Sequence, residues 1–394
     1  MPRNGVRLAG APGADAAAAR MAKLPPELGQ VVLVLQGGGA LGAYQMGVYQ
    51  ALHESGIEPD WVIGTSIGAI NAGLIAGNEP DQRIARFEQF WSRIEHTPFQ
   101  QALASLPLVG SMASNWMTMA GGINGFFSPN LLAFAGCHVP LGVDAAGYYS
   151  TEPLKATLNE LVDFERIDRC ETRLTVGAAN VRSSGMRYFD SRQQPLDARH
   201  IMASGALPPA FPAVRIDGEL YWDGGILSNT PVEAVFDDYP RRNSVVFAVH
   251  IWNPHGPEPS TIWEVLNRQK DIQYSSRAVT HIIRQKQLHR LRHVISELVR
   301  RMPEKERRRE DVKDLAEYGC LTRMHVVRLL APPVDGEDHT KDIDFSPAAI
   351  GARREAGYRD TMRLIDEAPW LGEFDPIEGF ILHESRTGTE ISSG

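Results

Sequence analysis

The sequence predicts an α/β protein, with a mostly parallel central sheet carrying helices on both faces and a mainly helical C-terminal extension. Three observations predict it. Short apolar runs alternate with segments of helical periodicity. Three of those runs end in glycine-rich turns, and after Pro254 the composition shifts to charged, helix-forming stretches.

The elements follow in order. Val31-Val32-Leu33-Val34-Leu35-Gln36 is a continuous apolar run that predicts a buried parallel strand. It ends in Gly37-Gly38-Gly39-Ala40-Leu41-Gly42, after which Tyr44, Val48, Ala51 and Leu52 recur at helical spacing and Gly56 closes the helix. Trp61-Val62-Ile63 is a second short strand running into Gly64-Thr65-Ser66-Ile67-Gly68 and a small, apolar helix. Ile84, Phe87 and Trp91 mark a further helix over about 80–95. Residues 152–162 and 198–206 read as helices, 173–181 with 186–190 as a strand pair, and 219–223 and 245–252 as strands. Beyond these, 261–317 is helical in composition, 324–330 is a strand and 346–366 a helix.

The expected organisation is a flexible tail over 1–28, a catalytic domain over 29–252, a mainly helical extension over 253–372 and a loose end over 373–394. Within the domain, 97–150 is dense in Phe, Met, Gly and Pro and poor in charge. It reads as an irregular apolar insertion, with a mobile lid and an ordinary packed loop both open.

Composition sets bounds. The chain has 394 residues, enough for one large α/β domain with an appendage or for two domains. Its formal net charge of −8 gives no basic footprint for nucleic acid. No apolar run approaches the length of a membrane span. Cys137, Cys170 and Cys320 form no CxxC pair, so no thiolate metal site is expected, and a reducing, cytoplasmic setting fits. Contact with lipid would then be peripheral.

The chemistry gathers at the glycine turns, each weak alone but all placed at strand ends, where open α/β sheets bind ligands. Gly64-Thr65-Ser66-Ile67-Gly68 has the form of a nucleophile elbow, whose glycines let the turn close and push Ser66 out at a helix N-terminus. Gly37, Gly38 and Gly39, with Ala40 beyond them, offer backbone amides for the oxyanion of acyl transfer. Gly37-x-Gly39-x-x-Gly42 also matches a dinucleotide-binding turn, with Asp60 as the acidic partner, but Asp60 precedes the second strand instead of ending it. Asp223, followed by Gly224 and Gly225, could touch the serine hydroxyl directly and act as general base once desolvated.

Together, Gln36 to Gly42, Gly64 to Gly68 and Asp223-Gly224-Gly225 resemble the three signature blocks of the patatin-like phospholipase family. Ala203-Ser204-Gly205-Ala206-Leu207-Pro208-Pro209-Ala210-Phe211-Pro212 and Ser228-Asn229-Thr230-Pro231 resemble its usual surroundings. The resemblance covers about 29–252. It implies a three-layer α/β/α fold and hydrolysis of fatty-acyl esters by a Ser66–Asp223 dyad, with the glycine loop as oxyanion hole and neither cofactor nor metal. The third block ends in Gly225 where many members have alanine. The segment after about 256 resembles the long charged extension of one bacterial branch, which adds hydroxyalkanoate esters as a substrate alternative.

Three rivals stand beside this reading. A Ser–His–Asp hydrolase would use His250. An acyltransferase usually places histidine beside the nucleophile, where this chain has Thr65. A lipid-binding module with a dead site is opposed by the presence of both Ser66 and Asp223. In the extension, Leu288, Leu291, Ile295 and Leu298 lie at three-to-four spacing among arginines. That helix is expected to pack on the domain through its leucines, with attachment to an anionic membrane as the alternative. Head group, acyl length and oligomeric state are not legible.

Overall fold

The structure is a computed structural model that describes residues 24–96, 121–136, 138–334, 337–375 and 377–384. The expected N-terminal tail up to residue 23, the first part of the apolar insertion (97–120) and the last ten residues lie outside these.

Nine strands build one sheet in the order β11-β10-β9-β1-β2-β5-β8-β7, with β6 also on β5. The strands are β1 (Gln30–Leu35), β2 (Trp61–Gly64), β5 (Arg173–Asn180), β6 (Met186–Asp190), β7 (Val214–Ile216), β8 (Glu219–Asp223), β9 (Ser244–His250), β10 (Met324–Leu330) and β11 (Phe380–Glu384). From β11 to β5 every pairing is parallel. A separate short hairpin pairs β3 (Ser128–Pro129) with β4 (Tyr149–Ser150).

Alternation along β1 explains why helices cover both faces. Val31, Leu33 and Leu35 point into one apolar layer, shared with α1 (Ala43–Glu54), α2 (Ile67–Ala76), α3 (Pro80–Ile94) and α11 (Pro347–Glu367). Val32 and Val34 point into a second layer with Phe236 of α7 (Glu233–Phe236) and Ile282 of α8 (Ile262–Arg301). The remaining helices are α4 (Glu152–Leu161), α5 (Phe164–Asp168), α6 (Ala198–Ser204), α9 (Glu304–Arg307) and α10 (Glu310–Ala316). No helix among the described residues is long and apolar enough to cross a membrane.

The pairing of β5 positions the chemistry. One of its edges holds β6 over Thr175–Ala179. The other edge is divided: β2 takes Arg173–Val176, and where β2 stops at Gly64, antiparallel β8 takes Ala178–Asn180. Asp223 pairs with Ala178, so the last residue of β8 arrives just beyond the point where Thr65 and Ser66 leave the sheet.

Three expectations need correction. The segment after 253 is mainly helical, but it is not an appendage. β10 and β11 extend the central sheet from β9, whose apolar edge would otherwise stand unpaired, and α11 packs on α1. The end after 372 is not wholly loose either, because Phe380–Glu384 is an edge strand. Finally, the charged helix turns inward not its leucines but His289 and His293, whose Nε2 atoms both meet the Thr322 carbonyl at 2.8 Å. Leu291 and Leu298 are 59% and 60% exposed, so the leucine face points outward.

Candidate active site

Ser66 sits on the turn between β2 and α2 with φ 56° and ψ −126°, a left-handed conformation that costs a residue with a side chain about 1–3 kcal/mol. Two glycines make the turn possible. A Cβ on Gly64 would lie 2.2 Å from the Gly68 carbonyl oxygen, and a Cβ on Gly68 2.3 Å from that of Leu35. The Ser66 amide is held by Ser204, to its carbonyl and its hydroxyl oxygen at 3.1 Å each, and the Ser204 hydroxyl donates to the Gly177 carbonyl at 2.6 Å. The strained turn is thereby fastened to β5.

Asp223 is 2% exposed and lines the same cavity as Ser66, whose hydroxyl favours the charged form of its carboxyl. The Gly225 amide donates to its Oδ1 at 2.7 Å, and its own amide donates to Ala206. Burial drives the carboxyl up to about 6, offset in part by Ser66 and by the bond from Gly225. The glycines after it serve close approach, since a Cβ on Gly224 would lie 2.4 Å from the Gly177 carbonyl oxygen.

In the glycine loop the amides divide into two sets. Gly37 donates to the Asn229 carbonyl at 3.2 Å and Ala40 to the Asp342 carbonyl at 2.9 Å, so neither amide faces a substrate. The amides of Gly38, Gly39 and Ile67 have no partner among the described residues. Their directions follow from the planar trans peptide, in which C=O and the next N–H point opposite ways. The Gly37 carbonyl is held on the protein side by the Asn229 Nδ2 at 3.0 Å and the Trp252 Nε1 at 2.8 Å. The Gly38 carbonyl accepts from Leu41 at 3.2 Å. The amides of Gly38 and Gly39 therefore face away from these anchors.

These groups border a cavity of about 250 Å³. Ile70, Phe126, Phe127, Leu154, Met202 and Phe211 give it an apolar wall. Phe126 and Phe127 come from the described part of the apolar insertion. Tyr274, Asp342, Ile343 and Phe345 come from the segment after 253, so that segment helps to build the cavity. Gly42 lies behind the loop, where a Cβ would meet Ile67 at 2.7 Å.

Two residues weighed in the rival readings lie elsewhere. His250 ends β9 fully buried, with no hydrogen bond to Ser66 or Asp223 among the described residues. Burial and the nearby Arg328 push its ring down to about 3. Asp60 accepts the Val31 amide at 2.8 Å at the start of β1, the opposite end of the sheet from the glycine loop. A nucleotide on that loop could not reach it. No cluster of three or more His, Cys, Asp or Glu among the described residues is arranged to hold a metal.

Sequence reasoning missed Ser204, Asn229, Trp252 and Ile67 as parts of the site. Ser204 and Asn229 stand inside blocks already noted, and Ile67 follows the serine of an elbow-like turn, a position that is itself a signal for an oxyanion donor. Nothing in the local sequence marks Trp252.

Comparison with known proteins completes the description. A family model described as patatin-like phospholipase matches residues 33–236, and one described as patatin phospholipase matches 272–377. Lysophospholipase NTE1 of Yarrowia lipolytica is 27% identical over 248 residues, 61% of this chain and 14% of that protein. Its counterpart from Kluyveromyces lactis is 26% identical over 251 residues, with the same shares. The chain thus spans about a seventh of the length of these relatives. Among solved structures, VipD from Legionella pneumophila aligns over 86% of this chain and 67% of that one, at 18% identity and a TM-score of 0.36.

Proposed function

Since the chain belongs to the patatin-like phospholipase family, we propose that it hydrolyses carboxylic ester bonds of lipids through an acyl-enzyme on Ser66. One observation carries the reading: Ser66 lines an apolar cavity together with Asp223, a buried carboxylate whose basicity burial has raised. Ser66 Oγ attacks the ester carbonyl carbon while Asp223 takes its proton. The oxyanion forms against the amides of Gly38 and Gly39, with Ile67 a third donor; Gly37 serves as anchor. As the tetrahedral species collapses, the C–O bond to the alcohol breaks and the Asp223 carboxyl returns the proton to the leaving oxygen. Water then repeats the attack with Asp223 as base, releasing the fatty acid and restoring Ser66.

The cavity is modest, so we read the substrate as an ester presenting one acyl chain. The relatives named lysophospholipase agree with that reading. Hydroxyalkanoate oligomers and acyl transfer to another acceptor remain the substrate-level alternatives. The test uses p-nitrophenyl esters of graded chain length. Wild type should turn over, and folded Ser66→Ala and Asp223→Ala should each lose about 10³-fold or more in kcat. Full activity in Asp223→Ala would remove the base assignment. A silent wild type that cleaves hydroxybutyrate oligomers, or acylates an acceptor, would move the substrate class.

A further inference from the structure

The oxyanion donors are backbone amides, so their aim depends on whatever fixes the peptide planes of the glycine loop. Glycines do not fix themselves, having no side chain to restrict φ and ψ. The structure supplies the restraint from three directions. Asn229, six residues after Asp223, brackets Gly37 on both sides: its carbonyl accepts the Gly37 amide and its Nδ2 donates to the Gly37 carbonyl. Trp252, two residues past β9, donates its indole N–H to the same carbonyl. Its ring packs against Tyr274 of α8, with centroids 4.8 Å apart, and lies under the Lys341 ammonium at 5.5 Å. Lys341 is itself held by Asp271 at 2.7 Å, and both are buried. Gln36 completes the frame. Its Oε1 accepts the amides of Ile251 and Trp252, and its Nε2 donates to Thr230 and to the Tyr274 carbonyl.

We propose that Trp252 and Asn229 are positioning residues that aim the Gly38 amide at the oxyanion by jointly locking the Gly37 carbonyl. Space is as tight as the hydrogen bonding: a Cβ on Gly38 would lie 2.7 Å from Trp252 Nε1, and one on Gly37 would lie 2.9 Å from Ser66 Cβ. Two donors on one carbonyl hold the peptide plane at both lone pairs, so loss of either frees it to tilt. The base and the donors then share one support, because Asn229 follows Asp223 on the same loop. Trp252 also transmits the segment after 253 to the glycine loop through Tyr274 and Lys341. The inference rests on the acyl-enzyme reading above.

The test compares a p-nitrophenyl ester with its thionoester. A thiocarbonyl sulfur is a poor hydrogen-bond acceptor, so a well-aimed amide speeds the oxygen ester far more than the thionoester. Trp252→Phe keeps an aromatic ring and removes the N–H. It should lower kcat on the oxygen ester about 10-fold, with KM changed by less than about 2-fold. The rate ratio between oxygen ester and thionoester should fall by the same factor. Asn229→Ala, which removes the other donor, should do the same independently, whichever of the two variants folds better. An unchanged ratio in a folded variant overturns the proposal even if both rates drop, since a general loss of structure slows both esters alike. Ser66→Ala separates the two readings. If it still turns over, the acyl-enzyme fails. If it is dead while Trp252→Phe keeps the wild-type ratio, only the positioning role fails.

Discussion

In the proposed mechanism, Asp223 carries two requirements that oppose each other. It must be ionised to take the Ser66 proton, and it must be buried to be basic enough to do so. Burial has moved its carboxyl from 3.8 to about 6, a cost to the charged form on the order of 3 kcal/mol. The carboxylate accepts a proton and the carboxylic acid cannot. We therefore expect kcat/KM on p-nitrophenyl esters to be flat above about pH 7 and to fall below about pH 6, by roughly one decade per pH unit. An acid limb near pH 4 would mean that Asp223 is solvated in the working enzyme. A limb that survives in a residually active Asp223→Asn would assign it to another group. His250 cannot supply such a limb as a proton acceptor near neutrality, because its imidazole is held neutral down to about 3 and its Nε2 has no partner among the described residues.

The element that ties the chain's far ends together is the pair α1 and α11. Each helix offers a glycine where the other's backbone passes: a Cβ on Gly47 would lie 1.9 Å from the Arg354 carbonyl oxygen, and one on Gly357 would lie 2.1 Å from that of Tyr44. Close approach then brings polar side chains into register. Tyr44 donates to Asp360 at 3.1 Å, Tyr358 to Glu54 at 2.7 Å and Arg354 to Gln50 at 3.0 Å. Gly357→Leu should force the helices apart and destabilise the fold by about 2–3 kcal/mol, read from urea denaturation. Because α1 leads directly from the glycine loop, activity should fall in the same variant before the fold is lost. A Gly357→Leu protein as stable as wild type would show that the two helices can slide without cost.

At the scale of the whole molecule, the sheet does not end with the segment that carries the three signature blocks. β9 lies between β1 and β10, with Val246 and Ala248 fully buried. Removing residues 257–394 would strip β10 and β11 from that edge and α11 from α1. It would also take Tyr274 and Asp342 from the glycine loop. We expect the fragment 24–256 to aggregate and to be inactive, as seen by size-exclusion chromatography and ester turnover. A soluble, active fragment would reduce the later segment to an optional cover.

Much of this protein was legible in the amino-acid order because its information is local. β1 and β2 are short runs of apolar residues, and the first elbow glycine, Gly64, is demanded by the Gly68 carbonyl four positions on. Ser66, Asp223 and the glycine loop could be picked out because each ends a strand in a turn that few other residues could make. The rest needed the tertiary structure because it depends on what meets across long separations. The Gly37 amide, expected to face the substrate, is spent on Asn229, a contact 192 positions away. The outward face of α8 is not legible in its leucine pattern, which shows amphipathicity without direction. The direction was set by Thr322, which gives His289 and His293 a carbonyl to meet. Phe380–Glu384 became a strand only because β10 offered it an edge. Trp252 illustrates the division most simply: its residue type is written in the chain, but its role comes from the one carbonyl that its indole N–H reaches, and folding alone decides which carbonyl that is.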